Sequence, residues 1–205
     1  TKLFQEERER ALYLVLDAGP SMQFGTKLRF KWVQGARVAA LFAWLSLASG
    51  NRVGAVVFGD GKAARLLTPG AGETGVMRIL HLLAGLQPVT TPQAGSMNDA
   101  LRQLRQRARP GSLILLLSDF VHIERDTSRH LSHLGRHCDL AAARLFDPIE
   151  RELPPPGRYP VTDGEKVALL DTCSSAVRGR FSQRFASQGA KISALFNRFG
   201  ARTLA

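Results

Sequence analysis

The chain has 205 residues, 44% of them hydrophobic and 22% charged, which is enough to bury a proper core within one domain. Its longest apolar stretch, 36–48, is broken by Arg37 and falls short of the roughly 18 residues a membrane-spanning helix needs, so no such span is encoded here. A formal net charge of +11 with a pI near 10.8 suits acidic partners, whether nucleic acid, an anionic membrane surface or an acidic protein face, without choosing among them.

Residues 11–16 form a near-continuous apolar run that stops at Asp17, the pattern of a central parallel strand buried on both faces. After a Gly19-Pro20-Ser21 turn, apolar residues recur at helical spacing over 28–49, and Gly50-Asn51 supplies a stop. A second strand is expected over 53–58, a tight turn at Gly59-Asp60-Gly61, and a third strand over 62–68, antiparallel to the second. Helices follow at 75–86 and 97–107, separated by a Thr- and Pro-rich loop at 87–95. Residues 113–117, the most apolar strand in the chain, run straight into Ser118-Asp119. A short helix at 127–136, a strand at 140–146, a stiff Pro154-Pro155-Pro156 connection and a hairpin over 159–171 turning at Asp163-Gly164 come next. A basic amphipathic helix over 175–198 closes the pattern, with 201–205 beginning a last strand.

Strands alternating with helices predict an α/β fold with a doubly wound, mainly parallel sheet flanked by helices. The expected organisation is a single domain over 1–205, with 150–205 a C-terminal hairpin and basic helix packed on it. In such sheets ligands sit outside the carboxyl ends of the strands, at the switch point where neighbouring crossovers go to opposite faces. Asp17 and Asp119 both lie at carboxyl ends, and if their strands are adjacent the two carboxylates converge with the hydroxyls of Ser21 and Ser118. That is a hard oxygen donor set suited to Mg²⁺ or Mn²⁺. The competing reading is that both aspartates cap the turns after their strands.

The run Leu14-Val15-Leu16-Asp17-Ala18-Gly19-Pro20-Ser21-Met22 resembles the Asp-x-Ser-x-Ser motif that opens the metal-ion-dependent adhesion site of von Willebrand factor A domains. Further blocks, Phe24-Gly25-Thr26-Lys27, Asn51-Arg52-Val53-Gly54 with Phe58-Gly59-Asp60, Ser118-Asp119-Phe120, and Asp147-Pro148-Ile149-Glu150 with Leu153-Pro154, resemble in order those of the bacterial domain of unknown function fifty-eight. That subfamily is often encoded beside MoxR-type AAA+ ATPases. The resemblance implies a Rossmann-like von Willebrand factor A domain that binds proteins and is not an enzyme, with a MoxR-type AAA+ ATPase as partner. It carries metal-ligand roles onto Asp17, Ser21 and Asp119, and loosely onto Ser96, where Ala94-Gly95-Ser96 stands for the family's Gly-Gly-Thr turn. The first motif serine is Gly19 here, so the metal site is degenerate. The resemblance also implies a cytoplasmic domain, with membrane attachment only through segments outside this chain. The unpaired spacing of Cys138 and Cys173, which fits neither a zinc site nor a redox dithiol, agrees with a reducing compartment, and the start at Thr1 without an initiator Met reads as part of a longer protein.

Two other function classes stand beside the adaptor. Nucleic-acid or acidic-surface binding is suggested by Arg178, Arg180, Arg184, Lys191 and Arg198 on the terminal helix, although the interleaved Phe181, Phe185, Phe196 and Phe199 recur at the spacing of core anchors. Phosphoryl chemistry at Asp17 lacks a second acid two residues on, a Gly-Lys-Ser/Thr phosphate loop and a nucleophile elbow. His130, His133 and His137 share one helical face, but no acidic base lies between them in the zinc-protease pattern, and no role is assigned to them.

Overall fold

The computed structural model describes residues 9–26, 28–87, 89, 95–162 and 166–204. Strand β1 (Ala11–Asp17) leads through a 3-10 turn at Pro20–Gln23 into helix α1 (Lys31–Ala48) and strand β2 (Arg52–Phe58). Edge strand β3 (Arg65–Gly70), helices α2 (Gly72–Ala84) and α3 (Met97–Arg107) and strand β4 (Leu113–Ser118) follow. Then come α4 (Thr127–Gly135), β5 (Asp139–Arg144), the single turn α5 (Pro148–Arg151), the hairpin β6 (Arg158–Thr162) and β7 (Val167–Asp171), α6 (Ser175–Asn197) and β8 (Arg202–Leu204).

Six strands make one sheet in the order β3-β2-β1-β4-β5-β8, all parallel except β3, while β6 and β7 form a separate two-stranded sheet. The α/β expectation therefore holds. Helices α1 and α2 cover one face, where Leu12, Leu14, Leu16, Val57 and Leu117 meet Ala39, Ala43, Val76 and Ile79. Helices α3 and α4 with the end of α6 cover the other, where Val15, Ile114 and Leu116 meet Leu101, Leu104, Leu131, Ile192 and Phe196. Crossovers thus leave β1 and β4 on opposite faces, and the switch point lies between these two strands.

The third strand starts at Arg65 rather than 62, because Gly59 and Gly61 both take positive φ (83° and 79°) and Asp60 pairs with Arg65, prolonging the turn. It continues through Pro69, tolerated because β3 is an edge strand needing no N–H on its outer side. Helix α1 begins at Lys31 instead of 28 and α2 at Gly72 instead of 75. The turn expected at Asp163-Gly164 and most of the loop 87–95 lie outside the described residues. Of the terminal-helix aromatics, Phe196 is fully buried and packs edge-on against Phe120, while Phe181 and Phe185 are half-buried. Among the described residues no helix is long and apolar enough to cross a membrane.

Candidate functional site

The register of β1 on β4 pairs Leu16 with Leu117, which brings Asp17 level with Ser118 at the switch point. The Ser118 hydroxyl donates to Asp17 Oδ2 at 2.6 Å, and the Gly19 N–H donates to Asp17 Oδ1 at 2.9 Å. Ser118 Oγ in turn accepts the Phe120 N–H at 3.0 Å. Burial pushes the Asp17 carboxyl up to about 6 and the neighbouring Asp119 charge adds to that, whereas the bonds from Ser118 and Gly19 and the charge of His122 pull it down.

After Ser118 the chain turns sharply. Phe120 adopts φ 56°, the left-handed region that an aromatic side chain disfavours, at a cost of about 1–3 kcal/mol that the surrounding packing must hold in place. The turn lets Asp119 Oδ1 accept the Val121 N–H at 3.0 Å and aims Oδ2 into the crevice. There it meets Lys31: the ammonium donates to Asp119 Oδ2 at 2.9 Å and to Glu150 Oε1 at 2.7 Å. The Lys31 and Asp119 side chains are each 4% exposed, so this is a buried ion pair. Lys31 is the first residue of α1, whose opening turn has no acidic residue. An ammonium there opposes the helix dipole by about 0.3–1 kcal/mol, and the carboxylates of Asp119 and Glu150 offset it from outside the helix.

The arrangement extends further. Glu150 Oε2 accepts the Asp147 N–H at 2.8 Å, forming with the Asp147 side chain the capping box that starts α5. Asp147 also takes the Thr26 hydroxyl at 2.6 Å and the Thr26 N–H at 2.8 Å, and this bonding, with the bond from Ile149 N–H, draws its carboxyl below the ordinary range although burial opposes it. One chain of bonds therefore ties the loop before α1 to the tip of β4 and to the segment after β5. Beside it lies a cavity of about 190 Å³ lined by Asp119, Arg144, Phe146, Glu150, Phe181 and Arg184 among others. The Arg144 guanidinium lies 4.0 Å from the Phe185 ring centroid, and its buried Nε has no hydrogen-bond partner among the described residues.

Of the four residues anticipated as metal ligands, Asp17 and Asp119 are brought to one crevice as expected from their strand ends. Ser21 lies half-buried in the 3-10 turn, and among the described residues no hydrogen bond joins it to either aspartate. Ser96 is the N-cap of α3, its hydroxyl engaged in a capping box with Asp99. At Gly19, a Cβ would come within 3.1 Å of Asp17 Oδ1, so the glycine leaves that carboxylate its room. The residues present do not fit Mg²⁺ or Mn²⁺ in this arrangement: the Lys31 ammonium sits on Asp119 Oδ2, the crevice-facing oxygen of that carboxylate. A second cation at coordination distance would be repelled by the first. Among the described residues no cluster of three or more His, Cys, Asp or Glu side chains is placed to hold a metal.

Lys31, Thr26, Asp147 and Glu150 carry no role in the sequence reading, although three of them fall inside motif blocks quoted there. A lysine opening a helix that lacks acidic residues in its first turn was the available signal for Lys31. The histidines do not converge: His130 is buried with its Nδ1 3.3 Å from Arg105 Nη1, while His133 and His137 are exposed.

The family sequence model described as "Protein of unknown function DUF58" matches residues 1–191. The uncharacterized protein Rv1480 of Mycobacterium tuberculosis (strain ATCC 25618 / H37Rv) is 25% identical over 199 residues, 97% of this chain and 62% of that protein. The uncharacterized protein Mb1516 of Mycobacterium bovis matches to the same extent, so the chain spans 62% of the length of these relatives. Among solved structures, an aerotolerance-related membrane protein from Bacteroides fragilis superposes with a TM-score of 0.57 at 13% identity, over 95% of this chain and 90% of that one. The conserved hypothetical protein BatB from Bacteroides thetaiotaomicron gives 0.54 at 12% identity, over 93% and 98%. At such identities these structures bear on the fold alone. With the family match running through residue 191 and the sheet order β3-β2-β1-β4-β5-β8 beneath it, the chain belongs to the DUF58 family and has an α/β fold built on a mainly parallel sheet.

Proposed function

We propose that this chain is a protein-interaction module, not an enzyme, whose binding surface is the rim of the crevice at the carboxyl end of β1 and β4, and that its partner is a MoxR-type AAA+ ATPase in an assembly or chaperone-like system. The observation that carries this reading is the contrast between floor and rim. The floor is buried, and its carboxylates accept hydrogen bonds from Gly19, Ser118 and Lys31. The rim exposes large apolar side chains, Phe24, Leu28 and Phe30 before α1 and Val121 after β4. Exposed aromatic and aliphatic groups bordered by charge are the usual make-up of a protein-binding patch.

Family membership supports the same reading, and the link to MoxR-type ATPases comes from the resemblance in the motif blocks. Cytoplasmic placement, with any membrane attachment outside these residues, belongs to this proposal as well. A Mg²⁺ or Mn²⁺ ion would take part only by displacing Lys31 from Asp119. Binding of nucleic acid through α6 is the weaker reading, since Arg178 is engaged with the carbonyls of Thr172 and Cys173 and only Arg180, Arg184, Lys191 and Arg198 remain as an exposed basic face.

The test is affinity capture from native lysate with tagged wild type, Leu28→Asp and Val121→Asp, after checking that all three melt alike. Recovery of a MoxR-type ATPase by wild type and its loss from both variants is the expected result. Recovery of nucleic acid alone, or capture of the ATPase unaffected by both substitutions, overturns the proposed surface.

A further inference from the structure

We propose that Lys31 is the resident cation of the crevice: its ammonium takes the electrostatic place of a divalent ion, so the site works without metal and becomes a metal site only when Lys31 is removed. The Lys31 ammonium bridges Asp119 Oδ2 and Glu150 Oε1, and Asp17 with the Ser118 hydroxyl stands beside Asp119 at the carboxyl end of the sheet, all hard oxygen donors. A buried carboxylate such as Asp119 requires positive charge nearby, because an isolated ionised group is costly to desolvate. Lys31 supplies it through two short charge-assisted bonds.

The position of Lys31 in the chain makes this cation a fixture. Its backbone N–H donates to the Phe24 carbonyl at 2.9 Å, which anchors the start of α1, and the Phe24 ring lies 5.9 Å from the ammonium. A tethered cation gives up no translational freedom on entering its site, whereas a free ion does. Divalent ions in solution therefore compete against a group already in place, and against the repulsion of its charge. The departure at Gly19 is consistent: with a lysine as cation, the motif's first hydroxyl has no ion to bind, and a side chain there would crowd Asp17 Oδ1 at 3.1 Å.

The test is titration of the chain with Mn²⁺ alone, free ion being counted by its paramagnetic resonance signal and stability by the melting temperature. Wild type is expected to show no saturable site and no rise in melting temperature. Lys31→Met is expected to melt below wild type, to bind one Mn²⁺, and to gain about 5–10 °C when the ion is at about 100 times its Kd. Adding Asp119→Asn to Lys31→Met should abolish both effects. If Lys31→Met alone does not fold, Lys31→Met with Glu150→Gln, which leaves one fewer unpaired carboxylate, is read in the same way. A single wild-type Mn²⁺ site lost on Asp119→Asn overturns the proposal, as does a folded Lys31→Met protein that binds no more Mn²⁺ than wild type. No partner enters this experiment, so its outcome is separate from that of the capture assay.

Discussion

Phe120 and Phe196 meet edge to face with ring centroids 5.0 Å apart, which ties the terminal helix to the turn that carries Asp119. Phe196 is fully buried, and Phe120 holds the positive φ that aims Asp119 at Lys31. The aromatic pair therefore packs the strained turn beside the crevice against the terminal helix. Phe196→Ala is expected to cost about 3–5 kcal/mol through the cavity it leaves. Denaturant unfolding reads that loss, and amide exchange should rise at Phe120 and Val121 more than in β2.

Removing the buried cation should be costlier than removing its more exposed partner. Lys31→Met strands Asp119, whose side chain is 4% exposed, and breaking a buried pair on one side costs about 3–5 kcal/mol. Glu150→Gln, at a side chain 30% exposed, keeps one acceptor oxygen for two donors, so it gives up the bond from either Lys31 or the Asp147 N–H and should lose about 1–2 kcal/mol. Combining Lys31→Met with Asp119→Leu should recover much of the first loss, because neither charge is then left unpaired. Urea midpoints of the four proteins check the order.

The raised Asp17 carboxyl sets a pH dependence of definite sign. Its ordinary value is 3.8 and its folded value about 6, so between these pH values the folded chain holds more protons here than the unfolded chain. The contribution of Asp17 to stability is present in full below about pH 3.8, falls as pH rises, and levels off above about 6, a change of about 3 kcal/mol. Asp17→Asn lacks this change, and its amide can donate to Ser118 Oγ. Relative to wild type, the variant should gain about 3 kcal/mol of stability between pH 3.5 and pH 7.5, measured by chemical unfolding at both. Ser118→Ala, which removes a bond that lowers the Asp17 carboxyl, should move the window to higher pH.

Restoring the serine of the adhesion motif tests the packing around Asp17. Gly19 sits at φ −67°, which a serine adopts freely, but its Cβ would stand 3.1 Å from Asp17 Oδ1. Gly19→Ser is expected to lose about 1–3 kcal/mol by overpacking. The loss should shrink when Asp17 is replaced by alanine, and a double-mutant cycle on melting temperature measures the difference.

The central strands were legible in the chain because a parallel strand buried on both faces must be apolar along its length, and 11–16 and 113–117 are. The abrupt polarity at Asp17 and at Ser118-Asp119 marked the strand ends, and the alternation of strands with helices implied a switch point beside them. The start of β3 was less legible, because the Asp60–Arg65 pair and two positive-φ glycines lengthen the turn in a way that hydrophobic alternation does not record. Ser96 was drawn toward the crevice by motif spacing, whereas its hydroxyl accepts the Asp99 N–H in the first turn of α3. The pairing of Lys31 with Asp119 and Glu150 could not be read from the chain, since partners 88 and 119 positions away are chosen by how the loop before α1, the turn after β4 and the capping box of α5 converge. Apolar periodicity determines which segments are buried, and only the tertiary packing of three separate loops decides which charge answers which, because a buried ion must find its counter-ion in space.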